Sequence, residues 1–347
     1  MPLSDRDRSR VISATNSLLT QERWGTLSSM SAEPTGTVTL HVVPDPDDAE
    51  TSAAPSRPEP ALRFYTVTAQ DGTELRAWTN DVDGPTVLLC NGLGTSAYAW
   101  PALLDPDCGV RVISWNHRGT GGSARPADPH HVGIENFVDD ALAVMDDAGI
   151  DACPVMGWSM GVNTAFELAY LHPERVTGLF AVAGVPGGTF ASMLAPLGVP
   201  RFVRSAITVN LARVMGVLGK PATLVTRRLP IGRRATAVIS HSGFMLPVPD
   251  PELAARAIKE FLTTPIDWYM HLAVTTSKHL RVSLRGIDVP TTFVAGRWDV
   301  LASSEDMRTA AERIDGATYV RIDATHFVAM EHPDQVHELL LDLLDRV

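Results

Sequence analysis

The chain has 347 residues, of which 45% are hydrophobic, and this is enough to bury a large core in two domains or in one large domain with an insertion. Its formal net charge of −11 argues against a general nucleic-acid-binding protein, because such proteins need a basic surface to displace phosphate counterions. Small molecules or lipids are therefore the partners that the composition favours.

The first 61 residues are predicted to form a partly disordered N-terminal tail. Residues 31–61 are rich in Pro, Ser, Ala, Asp and Glu, a composition that buries too little apolar surface to offset the entropy of ordering it. The beginning of the chain has no apolar run long enough for a secretory signal or a membrane span. The expected location is the cytoplasm.

Residues 62–186 have the pattern of the first part of an α/β core. The runs LRFYTVTA and TELRAWTN are joined by the turn dipeptide Asp71-Gly72, which favours a hairpin. Four apolar runs then alternate with segments of helical length: TVLLCNG, VRVISWN, CPVMGW and LFAVAGVP. Near-continuous apolar runs suit strands buried on both faces, so the middle of the sheet is predicted to be parallel.

The alternation stops near residue 187 and resumes with VPTTFVAG, ATYVRID and the helical segment PDQVHELLLDLL. Residues 187–285 are mostly helical in character, and an insertion between the sixth and seventh strands explains them better than a separate domain. The predicted fold is a mostly parallel eight-stranded sheet flanked by helices. Its core comprises residues 62–186 and 286–347, with residues 187–285 as a helical lid.

The pentapeptide Gly157-Trp158-Ser159-Met160-Gly161 follows the apolar run CPVM and precedes the helical segment VNTAFELAYLH. A sharp turn between a strand and a helix, with glycines that let backbone segments crowd together, is what a nucleophile elbow requires. Ser159 is therefore the predicted nucleophile. The alternative is a tight turn with a capping serine.

A serine hydroxyl needs a base to remove its proton, and the base needs a carboxylate to hold it in the right tautomer. Asp299 follows the run TTFVAG, and His326 follows TYVRID. Since the carboxyl ends of parallel strands meet at one edge of the sheet, Ser159, Asp299 and His326 are predicted to form a catalytic triad. His332 precedes a proline at the mouth of the final helix, a position better suited to helix entry.

An acyl-transfer site also needs donors for the oxyanion that forms on attack, usually two backbone N–H groups. The first is expected from Met160, which follows the nucleophile. The second is expected from Leu93, in the loop Asn91-Gly92-Leu93-Gly94, whose glycines free the backbone to turn its amides inward.

In these motifs the chain resembles the α/β-hydrolase fold family, in particular its lid-bearing serine esterases and lipases. The resemblance covers about residues 62–347 and rests on GWSMG, NGLG, NHRGTGGS, GRWDVL and ATHFVAMEHP. The family usually has His-Gly where this chain has Asn91-Gly92, a change that alters the side-chain support of the oxyanion loop but keeps its backbone donors. The resemblance implies a serine hydrolase that cleaves carboxylic esters through an acyl-enzyme, with no metal or organic cofactor.

Several other chemistries fit parts of the sequence. Residues 91–97 also fit a loose dinucleotide fingerprint, but VRVISW ends in Asn116 and His117 where that fold needs an acidic residue to hold the ribose. Haloalkane dehalogenases and epoxide hydrolases share the architecture but attack with aspartate at the elbow, which Ser159 excludes. Cofactor-free haloperoxidases, carbon–carbon bond hydrolases and acyltransferases share the serine triad and stay open, as does a ligand-sensing binding protein.

The substrate is expected to be a small-molecule or lipid ester with an apolar acyl group, in contact with residues next to the catalytic ones in sequence: Trp158, Met160, Leu93 and Trp298. Residues 187–249 contain eight basic residues and no acidic one. Basic residues beside exposed apolar surface favour docking on anionic lipid, so the lid is expected to make peripheral membrane contact. The alternative is a lid with solvated arginines.

Overall fold

The computed structural model describes residues 62–188, 192–193, 201–226, 228, 238–279 and 283–347. The predicted tail over residues 1–61 lies outside the described residues. No helix in the described part of the chain has both the length and the hydropathy needed to cross a membrane.

The described residues form an eight-stranded sheet in the order β1-β2-β4-β3-β5-β6-β7-β8. The strands are β1 (Arg63–Thr68), β2 (Glu74–Thr79), β3 (Thr86–Cys90), β4 (Arg111–Trp115), β5 (Cys153–Trp158), β6 (Val176–Val182), β7 (Thr291–Gly296) and β8 (Thr318–Ile322). β2 pairs antiparallel with β1 and with β4, whereas every pair from β4 to β8 along the sheet is parallel. The prediction of a mostly parallel eight-stranded sheet is confirmed.

Helices flank this sheet on both faces. They are α1 (Ile134–Asp147), α2 (Gly161–Leu171), α3 (Arg201–Thr226), α4 (Pro251–Phe261), α5 (Ile266–Thr276), α6 (Ser304–Ala311), α7 (Val328–Glu331) and α8 (Pro333–Leu344). Successive side chains of a strand point to opposite faces, so Leu88 packs with α1 and α2 whereas Leu89 packs with α8. Two apolar cores on the two faces explain why strands such as β5 are buried at every position.

Helices α3, α4 and α5 lie between β6 and β7 in the chain. α3 packs against α5, and α4 packs against the short helical turn Ala97–Ala99 of the core. The Trp268 indole of α5 donates a hydrogen bond to the Arg118 carbonyl at 2.9 Å. The inserted segment is therefore mostly helical where it is described, and α4 and α5 contact the core. Its action as a lid stays a prediction.

A buried histidine lies just beyond β4. His117 is 2% exposed, its ring centroid is 4.7 Å from that of Phe137, and its Nδ1 has no hydrogen-bond partner among the described residues. Burial lowers the pKa of His117 to about 4, because the apolar surroundings disfavour the imidazolium.

We expect this histidine to make the protein less stable in acid. The pKa of an unfolded histidine is about 6.5, so between about pH 6.5 and 4 the unfolded state binds more protons than the folded state. The contribution of His117 to the free energy of unfolding is fully present above that pH window. It is lost as the pH falls through the window, by an amount on the order of 3 kcal/mol. Urea unfolding at pH 7.5, 5.5 and 4.5 measures this loss. The free energy of unfolding of His117→Asn is expected to fall less steeply as the pH is lowered. Equal slopes of this free energy against pH in the two proteins would contradict the prediction.

Candidate active site

The candidate nucleophile lies in a tight turn between a strand and a helix. β5 ends at Trp158 and α2 begins at Gly161, which leaves Ser159 and Met160 to make the turn. Ser159 has a φ of 55°, in the left-handed region that residues with a side chain rarely adopt. Its N–H donates to the Val182 carbonyl at 3.0 Å, which fixes the strained residue to β6. The turn thus holds the serine at the carboxyl edge of the parallel strands.

The flanking glycines are required by the close approach of three backbone segments. A Cβ atom at Gly161 would overlap the carbonyl oxygen of Cys90 at the end of β3. A Cβ atom at Gly157 would lie 2.6 Å from the Cα atom of Val162 in α2. Any larger residue at either position would push the helix away from the strands, and with it the serine.

The structure brings the three predicted side chains together. His326 Nε2 lies 2.9 Å from Ser159 Oγ, and His326 Nδ1 lies 2.8 Å from Asp299 Oδ2. Asp299 is 1% exposed, and its other oxygen accepts the N–H groups of Leu301 at 2.7 Å and Ala302 at 2.8 Å. Three donors thus converge on the carboxylate. This arrangement keeps a proton on Nδ1 and leaves Nε2 free to accept the hydroxyl proton of the serine.

Trp158, one of the predicted substrate contacts, is buried beside His326. Its indole is 3% exposed and donates a hydrogen bond to the His326 carbonyl at 3.1 Å. Its ring also packs against Trp100, His326 and Phe327. These contacts indicate a core residue that supports the loop carrying His326, which we call the histidine loop. The hydrogen bond also satisfies the indole N–H, which needs a partner when it is buried.

Trp298, the other tryptophan predicted to contact substrate, is 53% exposed. The Arg297 guanidinium lies 4.7 Å from the centroid of its ring, a cation–π contact at the surface. Its backbone N–H donates to the Ala324 carbonyl at 2.9 Å, which ties the loop carrying Asp299 to the one carrying His326. A substrate contact by its side chain stays a prediction.

The loop after β3 is held by the side chain of Asn91. Asn91 Oδ1 accepts the Gly92 N–H at 3.0 Å and the Trp100 indole N–H at 3.1 Å. Its Nδ2 donates to the Ser96 carbonyl at 3.1 Å. The side chain therefore fixes both ends of this loop. The sequence signals Asn91 only as a departure from the family motif, and it does not single out Trp100.

Leu93 and Met160, the predicted oxyanion donors, lie on adjacent loops, since β3 and β5 pair with Cys90 opposite Gly157. Among the described residues, neither backbone N–H donates a hydrogen bond within the chain. Their role as donors to an oxyanion beside the serine stays a prediction.

The side chains of Leu93 and Met160 belong to a buried apolar cluster that includes residues of the inserted helix α5. We call this the oxyanion-side cluster, and its buried members are Leu93, Val132, Ile134, Phe137, Met160, Trp268, Leu272 and Ala273. The inserted segment therefore packs against the loops that flank the serine. Sequence reasoning missed Trp268, because its position in a helix far along the chain carries no local sign of this contact.

The chain matches, over residues 85–333, the model of a family described as alpha/beta hydrolase fold. It is 27% identical over 297 residues to epoxide hydrolase A of Mycobacterium tuberculosis, an alignment that covers 75% of this chain and 90% of that protein. The enol-lactonase from Burkholderia xenovorans shares the fold, with a TM-score of 0.60, 24% identity, and coverage of 81% of this chain and all of the other. A thermophilic esterase from Thermogutta terrifontis does so with a TM-score of 0.58, 21% identity, and coverage of 82% and 98%.

Proposed function

The chain belongs to the α/β-hydrolase fold family, and from that premise we propose that it is a serine hydrolase that cleaves carboxylic esters. The observation that carries the proposal is the unbroken line of hydrogen bonds from Ser159 Oγ through the His326 imidazole to Asp299 Oδ2. A weak nucleophile paired with a base, which is itself oriented by a buried acid, is the arrangement needed for acyl transfer at neutral pH.

In the proposed reaction, Ser159 Oγ attacks the ester carbonyl while His326 Nε2 takes its proton. Asp299 stabilises the imidazolium, and the N–H groups of Leu93 and Met160 stabilise the oxyanion of the tetrahedral intermediate. The intermediate collapses as His326 returns the proton to the departing alcohol, which leaves an acyl-enzyme. A water molecule then attacks this ester, again with His326 as the base, and frees the acid and the serine.

The similarity to an epoxide hydrolase supports the family and leaves the reaction to be decided by the residue at the elbow. A serine there, 2.9 Å from an imidazole nitrogen, favours acyl transfer over chemistry that begins with an aspartate nucleophile. Haloperoxidase, carbon–carbon bond hydrolase and acyltransferase reactions would use the same three residues. A ligand-sensing protein would keep them without turnover.

For the substrate we propose an ester with an apolar acyl group. The support is the oxyanion-side cluster, which places buried apolar side chains directly beside the two oxyanion donors. The test is a chain-length series of p-nitrophenyl esters together with a fluorophosphonate probe. We expect turnover of medium or longer acyl chains and a labelled peptide that contains Ser159. A sharp maximum at acetate would count against the apolar acyl group, and labelling without turnover of any ester would favour the sensor.

We also propose that the inserted segment acts as a lid that docks on anionic lipid. Its residues 187–249 carry eight basic residues and no acidic one: Arg201, Arg204, Arg213, Lys220, Arg227, Arg228, Arg233 and Arg234. Most of these basic side chains lie outside the described residues. On α3, Ile207, Leu211 and Val214 follow helical spacing, and each is about half exposed. Exposed apolar residues on a helix without acids support a contact with an anionic lipid surface.

We expect vesicles of anionic phospholipid to raise the rate on an emulsified ester, because basic residues concentrate the enzyme at a negative surface. Replacing Arg227, Arg228, Arg233 and Arg234 by Gln should abolish the increase. Exposed Arg313 and Arg321 lie outside the insertion, and their replacement by Gln is a control that removes two positive charges elsewhere and should keep the increase. Equal rates with anionic and neutral vesicles, unchanged in the fourfold variant, would rule out the docking.

A further inference from the structure

A buried carboxylate that belongs to neither the triad nor the oxyanion site lies just beyond the histidine loop. Glu331 is the last residue of α7 and is 5% exposed. A buried acid is costly unless hydrogen bonds satisfy its oxygens, so its partners indicate what it does.

Those partners are Thr325, which directly precedes His326, and Leu246 of the inserted segment. Glu331 Oε2 accepts the Thr325 N–H at 2.7 Å. Its Oε1 accepts the Thr325 hydroxyl at 2.6 Å and the Leu246 N–H at 2.8 Å. All three bonds run from a donor to the carboxylate, which suits the ionised form and makes the bonds strong.

The backbone is thereby anchored by hydrogen bonds both before and after the histidine. The N–H of Thr325 is held by Glu331, and the carbonyl of His326 is held by the Trp158 indole at 3.1 Å. Gly296 packs closely against the same backbone segment, since a Cβ atom there would overlap the Thr325 carbonyl oxygen. The side-chain bonds of His326 to Ser159 and Asp299 act on the imidazole alone, so the backbone that carries the ring depends on these other contacts.

We propose that Glu331 is a positioning residue, which holds the backbone ahead of His326 so that the imidazole stays aligned with Ser159. The same carboxylate joins the histidine loop to the inserted segment through the Leu246 N–H. The proposal rests on the proposed function, because alignment matters only if His326 acts as the base. Glu331 does not orient the ring itself, since Nδ1 is engaged by Asp299.

The test is Glu331→Gln, which keeps the shape of the side chain but turns one acceptor into an amide donor that faces N–H and O–H donors. We expect kcat on a p-nitrophenyl ester to fall about ten- to a hundredfold, because small misplacements of a catalytic group are that costly, while KM stays near the wild-type value. The rate of fluorophosphonate labelling should fall in parallel.

Thr325→Val removes the hydroxyl bond to Glu331 and the long bond that the hydroxyl accepts from the Phe327 N–H at 3.4 Å, and it leaves the other two bonds of Glu331 in place. It should therefore give a smaller fall in kcat, and the double variant should be little slower than Glu331→Gln alone, because both changes act chiefly through one contact. Glu338→Gln, at an exposed position of α8, is the matched control and should behave as wild type. If Glu331→Gln does not fold, Thr325→Val carries the test.

Wild-type kcat and labelling in folded Glu331→Gln, or in Thr325→Val where the first variant does not fold, would overturn the positioning role. A wild-type protein that hydrolyses no ester would instead overturn the proposed function. In that case the downfield proton resonance of His326 Nδ1–H reports the position of the ring without turnover. We expect this resonance to weaken in Glu331→Gln, and an unchanged resonance would overturn the proposal about Glu331.

Discussion

Ser159→Ala is expected to lower kcat for ester hydrolysis by about 10⁴- to 10⁶-fold, because it removes the only atom that forms the acyl-enzyme. What remains should be the modest rate that the oxyanion donors and substrate binding give to a direct attack by water. KM should change little, since the alanine leaves the surrounding contacts intact. Initial rates on a p-nitrophenyl ester of medium chain length measure the loss, with fluorophosphonate labelling of the same samples as a second readout.

The matched control is Ser277→Ala, at the end of α5, where the hydroxyl donates only to the Val274 carbonyl of its own helix. This variant should keep wild-type turnover and labelling. The alanine at position 159 should also relieve some strain, since serine has a φ of 55° there, so the variant should be no less stable than wild type. Full labelling of Ser159→Ala would mean that another residue is the nucleophile.

The sheet was predictable because its strands are buried on both faces and therefore have uninterrupted apolar sequences. The run CPVMGW forms β5, which is buried at all six positions. The meeting of Ser159, Asp299 and His326 was predictable for a related reason. The strands β5, β7 and β8 run parallel, so the loops that follow them lie at one edge of the sheet.

The direction of the Trp158 side chain was not apparent from its place beside the nucleophile. Side chains alternate along a strand, so Trp158 faces the same side as Met156, and both belong to the core cluster under α8. Applied to β5, this period of two indicates which of the two cores the indole enters. Adjacency in sequence had suggested a substrate contact, but the alternation of the strand decided its surroundings.

Glu331 lies within the motif ATHFVAMEHP, but its contacts could not have been predicted from the sequence. An acidic residue in a short helix before His-Pro is expected to be exposed to solvent, since acidic residues are seldom buried. One of its three donors, the Leu246 N–H, is 85 positions away in the chain and belongs to the inserted segment. Contacts of this kind are set by tertiary packing, and the sequence carries no periodic signal for them.

Loss of the Asp299 charge should have the next largest effect on kcat. Its Oδ1 accepts hydrogen bonds from two backbone N–H groups, and its Oδ2 accepts one from His326 Nδ1–H. All three partners of the carboxylate are therefore donors. An asparagine that keeps its oxygen toward Leu301 and Ala302 must turn its amide N–H₂ toward Nδ1. The imidazole can accept that bond only with its proton on Nε2, and Nε2 then donates to Ser159 where it should accept.

Asp299→Asn is therefore expected to lower kcat by about 10⁴-fold with little change in KM, because the enzyme still binds the ester but holds its base in the wrong tautomer. Steady-state kinetics on a p-nitrophenyl ester at neutral pH measure the effect, and a thermal melt shows that the variant is folded. Asp323→Asn is the matched control, since Asp323 lies in the neighbouring loop, pairs with Arg297 and is well exposed. It should keep wild-type kcat. A folded Asp299→Asn variant that retained kcat within about tenfold of wild type would show that His326 does not depend on Asp299 for its tautomer, since the wrong tautomer alone costs far more.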